Sequence, residues 1–298
     1  MKLTTFENRN GEIRPGVLLQ EKSAVLDISS ALQQEASLNG LIALGATGKE
    51  AVRALVEQMP DDCITALSDT RLLAPIPTPK RNIFCVGKNY HEHAKEFHGS
   101  GFDASAGKDA IPDCPIFFSK SHTTVVGPGA AIPASADWTN SVDYEVELAV
   151  VIGKGGRGIT KSDAYDHVFG YTVINDVTSR TLQHQHKQWF LGKNFDGFCP
   201  MGPMLVTADE VGDVEQLTVS THVNGEPRQS AVVADLIFDI PTLIESLSSV
   251  MTLHPGDIIA TGTPAGVGIG ITPPRFLKRG DRVTVAITKL GELENPVE

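Results

Sequence analysis

Three acidic residues occupy positions from which they could act together. Glu145 and Glu147 alternate along the predicted strand 141–152, and Asp176 ends a second predicted strand, 171–176. Because side chains alternate across a strand, the two glutamates share one face, with their Cα atoms about 7 Å apart. A third carboxylate from a neighbouring strand end would complete an all-oxygen site that suits Mg²⁺ or Mn²⁺ and is compatible with Ca²⁺. The alternative is a charged strand face exposed to water.

Four motifs follow one another in the chain. After E-V-E come N-D-V-T-S-R at 175–180, G-K-N-F-D-G-F-C-P-M-G-P at 192–203 and T-G-T-P-A-G-V-G at 261–268. In this order they resemble the fumarylacetoacetate hydrolase family, over most of residues 80–290. The resemblance implies an α+β fold rich in strands, with a rolled, mixed β-sheet as its catalytic core. It also implies a divalent metal ion and a small keto-acid substrate.

The resemblance implies roles for further residues. Lys193 would be partly buried beside the carboxylates, where an ammonium stabilises developing negative charge. Arg180 and Gln183 would lie on one side of a short helix after Asp176, although a plain salt bridge remains the alternative for Arg180. The residues that would orient the substrate are Lys120, Arg180, Gln183 and Thr263.

A polar segment, N-Y-H-E-H-A-K-E-F at 89–97, is a predicted helix on which His93 and Glu96 can touch. In hydrolytic members of the family this arrangement resembles a dyad, in which the glutamate orients an imidazole that takes a proton from water. His91 is the neighbouring alternative. Residues 89–109 carry little apolar surface and are predicted to form a lid that closes on a bound keto acid. Substrate specificity is expected to come from the loop at 97–112.

The predicted function is hydrolysis of a C–C bond in an acylpyruvate or related β-diketo acid, such as a fumarylpyruvate-like compound, through a metal-held enolate. Such an enzyme would serve the catabolism of aromatic compounds or sugar acids. The same enolate without water supports an alternative: decarboxylation of an oxaloacetate-type acid, or keto–enol isomerisation of a dienoate. An alternative of another class is a catalytically silent metal-binding protein, but the complete set of acid–base candidates argues against it.

A glycine motif offers a competing interpretation. Gly153, Gly155 and Gly158 match G-x-G-x-x-G after a strand, and Asp176 follows about 20 residues later, as in a dinucleotide-binding site. In a doubly wound sheet, however, the first strand is apolar on both faces, and this strand carries two glutamates. A glycine-rich turn between strands is therefore the preferred interpretation.

Residues 1–75 are predicted to form a small N-terminal α+β domain. It would contain three short strands, a turn at Asn10–Gly11 and a helix at 50–59. Three prolines between residues 75 and 79 exclude a helix there and mark the boundary.

The metal-binding catalytic domain is predicted to span residues 76–298. Short strands dominate it, with a hairpin turn at Asn224–Gly225 and a helix that begins near Pro241.

Composition narrows the class of protein further. The net charge of −11 argues against nucleic acid as a partner, because phosphate binding needs a basic face. The four cysteines form no C-x-x-C pair, which favours reduced thiols in the cytoplasm. No apolar run approaches the ~18 residues of a membrane span. We expect a cytoplasmic homodimer: the resemblance implies the dimer, and an apolar segment near Phe276 offers a contact.

Overall fold

The computed structural model of the protein describes residues 1–32, 36–103 and 110–298. Within these residues the chain forms short strands and a few helices. The strands are β1 (Lys2–Glu7), β2 (Ile13–Leu19), β3 (Ala24–Asp27), β4 (Ile64–Ala66), β5 (Arg71–Leu72), β6 (Ile83–Gly87), β7 (Ile116–Lys120), β8 (Val125–Val126), β9 (Val142–Asp143), β10 (Val146–Ile152), β11 (Val168–Asn175), β12 (Thr178–Ser179), β13 (Cys199–Thr207), β14 (Thr218–Val223), β15 (Glu226–Val232), β16 (Ile258–Ala260), β17 (Arg282–Ile287) and β18 (Gly291–Pro296). The α-helices are α1 (Leu38–Gln58), α2 (His91–Gly99), α3 (Arg180–Gln185), α4 (Phe190–Lys193), α5 (Ala208–Val211) and α6 (Ile240–Val250).

One large sheet forms the centre of the fold. Its strand order is β4-β3-β2-β1-β13-β11-β10-β16-β6-β7, with β5 on β1 and β8 on β13. Most neighbours are antiparallel, but β6 runs parallel to β16 and β8 runs parallel to β13. A second sheet, β15-β14-β17-β18, packs nearby, and its apolar side chains share a core cluster with those of β10. The predicted strand-rich, mixed-sheet fold is thus confirmed.

The N-terminal strands are part of the large sheet that also contains β10, β11 and β13. Strand β1 pairs antiparallel with β13, so that Leu3 faces Leu205. Leu3 and Leu41 also share one buried cluster with Ile174 and Ile258 of the core strands. The boundary predicted at residue 75 remains a prediction, but the segment before it is joined to the sheet by hydrogen bonds and by packing.

Helix α1 covers the helix predicted at 50–59 except for its last residue, Met59, and begins twelve residues before it. The Ser37 hydroxyl caps its start by accepting a hydrogen bond from Gly40 N at 3.1 Å. The first half carries three glycines, which lower helix propensity, and Gly45 introduces a kink at φ 58°. The packing of Leu41 and Ile42 in the core compensates for this weak local preference.

Strand β10 is buried on both faces. Val146, Leu148, Val150 and Ile152 point into one core cluster, as the alternation predicts, while Val151 points into the other. The glutamate face is therefore not a wet strand face: Val151 packs in one cluster with Leu41 of α1, and Glu145 and Glu147 are themselves buried. The strand pairs antiparallel with β11 and β16 rather than in a parallel doubly wound sheet.

The glycine motif after β10 belongs to a turn. Gly153 N donates a hydrogen bond to His167 O at 2.7 Å, and a 3₁₀ helix at Lys161–His167 then leads into the antiparallel neighbour β11. The glycine-rich turn between strands is the correct interpretation.

Two further predicted elements are present. Asn224 and Gly225 join β14 to β15 with φ values of 53° and 78°, the left-handed conformation that this hairpin turn requires. Helix α6 has Pro241 in its first turn, and Asp239 caps it by accepting a hydrogen bond from Thr242 N at 2.8 Å. Among the described helices, none is long and apolar enough to cross a membrane.

Candidate active site

The three predicted metal ligands converge where β10 begins and β11 ends. Val146 pairs with Asn175, which places Glu145 and Asp176 opposite each other. Asp176 N donates to Glu145 O at 2.8 Å, and Glu145 N donates to the Asn175 side chain at 3.0 Å. Each of Glu145, Glu147 and Asp176 offers a carboxylate oxygen within 4.8 Å of the other two. All three are buried.

This donor set fits a divalent cation. Its ligand atoms are all carboxylate oxygens, the type that Mg²⁺ and Mn²⁺ prefer. Among the described residues, Asp176 Oδ1 accepts no hydrogen bond of suitable geometry, although Lys120 Nζ lies 2.8 Å away. Burial, followed by the charges of Asp176 and Glu145, raises the pKa of Glu147 well above its ordinary value. A bound ion would relieve this repulsion.

We expect the ion to stabilise the fold more strongly as the pH rises. A raised pKa means that protonation of Glu147 favours the folded, metal-free protein, whose stability then falls as the pH rises through that pKa. Burial raises the pKa of Glu145, but Lys193 and Arg180 outweigh it and lower the pKa to about 2, so Glu145 stays ionised over the same range. Thermal midpoints measured with and without Mg²⁺ between acidic and neutral pH test this. A difference that shrinks with increasing pH would contradict it.

Lys193 bridges two of the carboxylates. Its ammonium donates to Glu145 Oε2 at 2.8 Å and to Asp176 Oδ2 at 2.6 Å. Burial alone lowers the pKa of Lys193, but Asp176 and Glu145 outweigh that effect and raise it. The side chain therefore remains a cation at the point where negative charge would develop.

Lys120 and Arg180 are also fully buried cations. Lys120 contacts Asp176 and donates to Val177 O at 3.1 Å, and it is not among the described residues that line the cavity. Arg180 donates through Nε to Asp143 Oδ2 at 2.9 Å, and its Nη1 lies 2.6 Å from Glu145 Oε1. Within the described part of the chain its Nη2 has no hydrogen-bond partner. Arg180 thus forms the salt bridge that was the alternative to substrate binding, and its Nη2 amino group is still left for a ligand.

A cavity adjoins these groups, and both Arg180 and Lys193 contribute to its wall. Its wall includes Gln183, whose Oε1 accepts a bond from Arg180 Nη1 at 3.2 Å, and Thr263. The Thr263 oxygen accepts a hydrogen bond from Gln229 Nε2 at 2.7 Å, so its own O–H can donate to a ligand. The apolar part of the wall includes Val86, Phe97, Phe118 and Trp189.

Helix α2 carries the predicted dyad and brings its histidine, His93, to the wall of the same cavity. His93 Nδ1 lies 3.1 Å from Glu96 Oε2, while Glu96 Oε1 accepts a hydrogen bond from Gly266 N at 3.0 Å. Since Nδ1 faces Glu96, Nε2 is the ring nitrogen left for a substrate. His91, the alternative, is exposed. Part of the predicted lid and specificity loop, residues 104–109, lies outside the described residues.

Three further residues at the site, Asp143, Lys88 and Asp103, are not predicted from the sequence. Asp143 accepts hydrogen bonds from Gly268 N at 2.7 Å and Ile269 N at 3.0 Å while it pairs with Arg180. Its place in D-Y-E-V-E, two residues before Glu145, was the available signal. Lys88 lines the cavity and pairs with Asp103 at 3.0 Å. No sequence spacing brings those two together.

Comparison with known proteins identifies the family. Residues 82–298 match the profile described as Fumarylacetoacetate (FAA) hydrolase C-terminal. Over 232 residues the chain is 53% identical to the oxaloacetate tautomerase YisK of Bacillus subtilis (strain 168), an alignment that covers 78% of this chain and 74% of the relative.

Solved structures agree with this result. A fumarylacetoacetate hydrolase from Exiguobacterium antarcticum has a TM-score of 0.82 and 41% identity, covering 100% of this chain and 99% of the other. A maleylpyruvate hydrolase from Sphingobium sp. SYK-6, in complex with manganese(II) ion and pyruvate, has a TM-score of 0.78 and 32% identity, covering 100% and 98%. The profile match and these relatives confirm the resemblance: the chain belongs to the fumarylacetoacetate hydrolase family, whose members are metal-dependent enzymes.

Proposed function

We propose that the protein catalyses keto–enol chemistry on an α-keto acid, with tautomerisation of an oxaloacetate-type substrate as its primary reaction. One observation carries the proposal: the His93 imidazole and the Lys193 ammonium face a single cavity that also contains carboxylates suited to a divalent ion. The 53% identity to an oxaloacetate tautomerase favours this reaction over the others available to the family.

The residues divide the chemistry between them. A divalent ion on Glu145, Glu147 and Asp176 would supply a Lewis acid that polarises the keto oxygen. The free Nη2 of Arg180 binds the adjacent carboxylate, and Lys193 stabilises the negative charge that develops on oxygen.

The His93–Glu96 pair moves the proton. His93 Nε2 takes a proton from the carbon beside the keto group and returns it to the enolate oxygen, so the keto form becomes the enol. Glu96 holds the ring and stabilises the imidazolium in between.

We propose Mg²⁺ or Mn²⁺ as the physiological ion. The ligand set is all oxygen, and the maleylpyruvate hydrolase neighbour was solved with manganese(II). Ca²⁺ is compatible with the same ligands.

Hydrolysis of a C–C bond in an acylpyruvate is the second candidate. The observation that favours it is the same dyad, because an imidazole oriented by a carboxylate can also take a proton from water. The maleylpyruvate hydrolase, at 32% identity, supports it.

A substrate panel with Mg²⁺ or Mn²⁺ separates these reactions. Oxaloacetate would be followed by the absorbance of its enol, and acylpyruvates and dienoates by mass identification of their products. We expect the protein to accelerate the interconversion of the keto and enol forms of oxaloacetate without loss of CO₂. Cleavage of acylpyruvates with no effect on oxaloacetate would favour the second candidate, and CO₂ release would indicate a decarboxylase.

We also expect a homodimer, as the family resemblance implies. The contact near Phe276 remains a prediction; that ring is half-buried in the single chain and packs edge-on against Phe102 at 6.5 Å. Light scattering at micromolar concentration would measure the mass, with twice the 31.9 kDa of one chain as the expected value. A monomer under those conditions would refute the dimer.

A further inference from the structure

Lys88 adopts a backbone conformation that is unfavourable for lysine. It follows strand β6 with φ 55°, in the left-handed region where a Cβ atom is crowded. The buried side chain of Asn89 fixes the next residue by donating to Thr261 O at 2.8 Å and to Phe238 O at 3.0 Å. A conformation held in this way at the wall of an active-site cavity indicates a functional constraint on the side chain.

The Lys88 side chain forms a buried ion pair that the proposed mechanism does not use. Its ammonium lies 3.0 Å from Asp103 Oδ2, and the two side chains are only 3% and 2% exposed. Asp103 lies shortly after α2, the helix that carries His93. A buried pair of this kind adds little stability, because the loss of hydration offsets the attraction between the charges.

The other buried cations of the site are already committed to the metal-binding carboxylates. Lys120 and Lys193 both contact Asp176, and Arg180 contacts Glu145. Lys88 differs because its partner belongs to the segment after α2 and lies outside the metal-binding set. An exchange of that partner would leave the candidate metal site intact.

We propose that Lys88 is the receptor for a second carboxylate of the substrate, and that Asp103 occupies this receptor until the substrate replaces it. This rests on the proposed function and narrows its substrate class to small 2-oxo dicarboxylic acids. Arg180 and Lys88, which both line the same cavity, then bind one carboxylate each. When the second carboxylate of the substrate replaces that of Asp103, the charge around Lys88 stays the same. A substrate with only one carboxylate uses it at Arg180 and leaves the Lys88–Asp103 pair in place.

The test uses the Mg²⁺-loaded protein and two ligands that differ in the second carboxylate, oxaloacetate and 2-oxobutanoate. Calorimetry would give Kd for each, and NMR would give the rate of deuterium exchange at the carbon beside the keto group. Lys88→Met should weaken oxaloacetate binding by about 10- to 100-fold, the range for a lost charge-assisted hydrogen bond, and leave 2-oxobutanoate unchanged. Asp103→Asn removes the competitor and should tighten oxaloacetate binding only.

Two further variants keep the test decisive. Lys88→Met removes the ammonium that lies 3.0 Å from the buried Asp103 carboxylate, so Lys88→Met combined with Asp103→Asn removes both charges of the pair if the single variant does not fold. The double variant should still lose the preference for oxaloacetate. Lys95→Met is the matched control, because Lys95 lies on α2 but is 58% exposed and pairs with Glu92. This substitution should leave the Kd of both ligands unchanged.

The outcomes are distinguishable. If Lys88→Met weakens both ligands equally, or Asp103→Asn weakens oxaloacetate, the pair only holds the segment after α2 in place and the inference is wrong. If the unaltered protein binds and exchanges neither acid, the proposed function itself fails. If it acts on both acids without preferring oxaloacetate, the function stands and the role of Lys88 does not.

Discussion

Removal of the divalent ion is expected to abolish turnover and to lower the thermal midpoint, and added Mg²⁺ or Mn²⁺ should restore both. Without the ion, three buried carboxylates lie within 4.8 Å of one another, and Lys193 compensates only two of them directly. An ion that binds only the folded state at 100 times its Kd adds about 2.7 kcal/mol of stability. Activity assays and thermal unfolding, before and after chelation, measure the two effects.

Substitutions at the ligands check that the response comes from this site. Glu145→Gln or Asp176→Asn should remove both the activity and the metal-dependent change in midpoint. Glu92→Gln is a suitable control, because Glu92 is an exposed glutamate that pairs only with Lys95 among the described residues. Full turnover after verified metal removal, in the presence of a strong chelator, would contradict the prediction that the reaction needs a metal ion.

Replacement of His93 by alanine is expected to depress turnover by roughly 10² to 10⁴, the usual contribution of a general base. The imidazole is buried at the cavity wall, and Glu96 fixes it through Nδ1. His93 is not one of the three residues whose carboxylates would hold the ion. Metal affinity should therefore stay the same while the rate of proton transfer falls. Steady-state kinetics and a Mg²⁺ titration of the same variant give the two readouts.

His91→Ala is the matched control for this prediction. His91 lies on the same helix, two residues earlier, and is exposed. It should retain full activity. An unchanged rate in His93→Ala, or an equal loss in both variants, would show that the dyad does not act as the base.

Local patterns predicted part of the candidate site. Alternation along β10 placed Glu147 opposite the apolar face, and a spacing of three residues placed His93 beside Glu96 on α2. The partners that complete the site come from tertiary structure. Asp176 meets Glu145 because Val146 pairs with Asn175, a register that no spacing within either strand specifies.

Long-range contacts account for what the sequence did not reveal. Lys88 meets Asp103 because the chain that leaves α2 returns to the end of β6, and Asp143 meets Gly268 across more than a hundred residues. The sequence does not predict the start of α1, because glycines weaken its local helix preference and burial in the core determines its structure.

Strand β1 also protects the catalytic sheet. It covers one side of β13 near Leu205, while β11 occupies the other side. A fragment limited to the profile-matched residues 82–298 would leave the backbone N–H and C=O groups on that side unpaired, as an open edge that templates pairing with another chain. The segment that the family profile omits is thus the one that shields the matched segment from edge-to-edge aggregation.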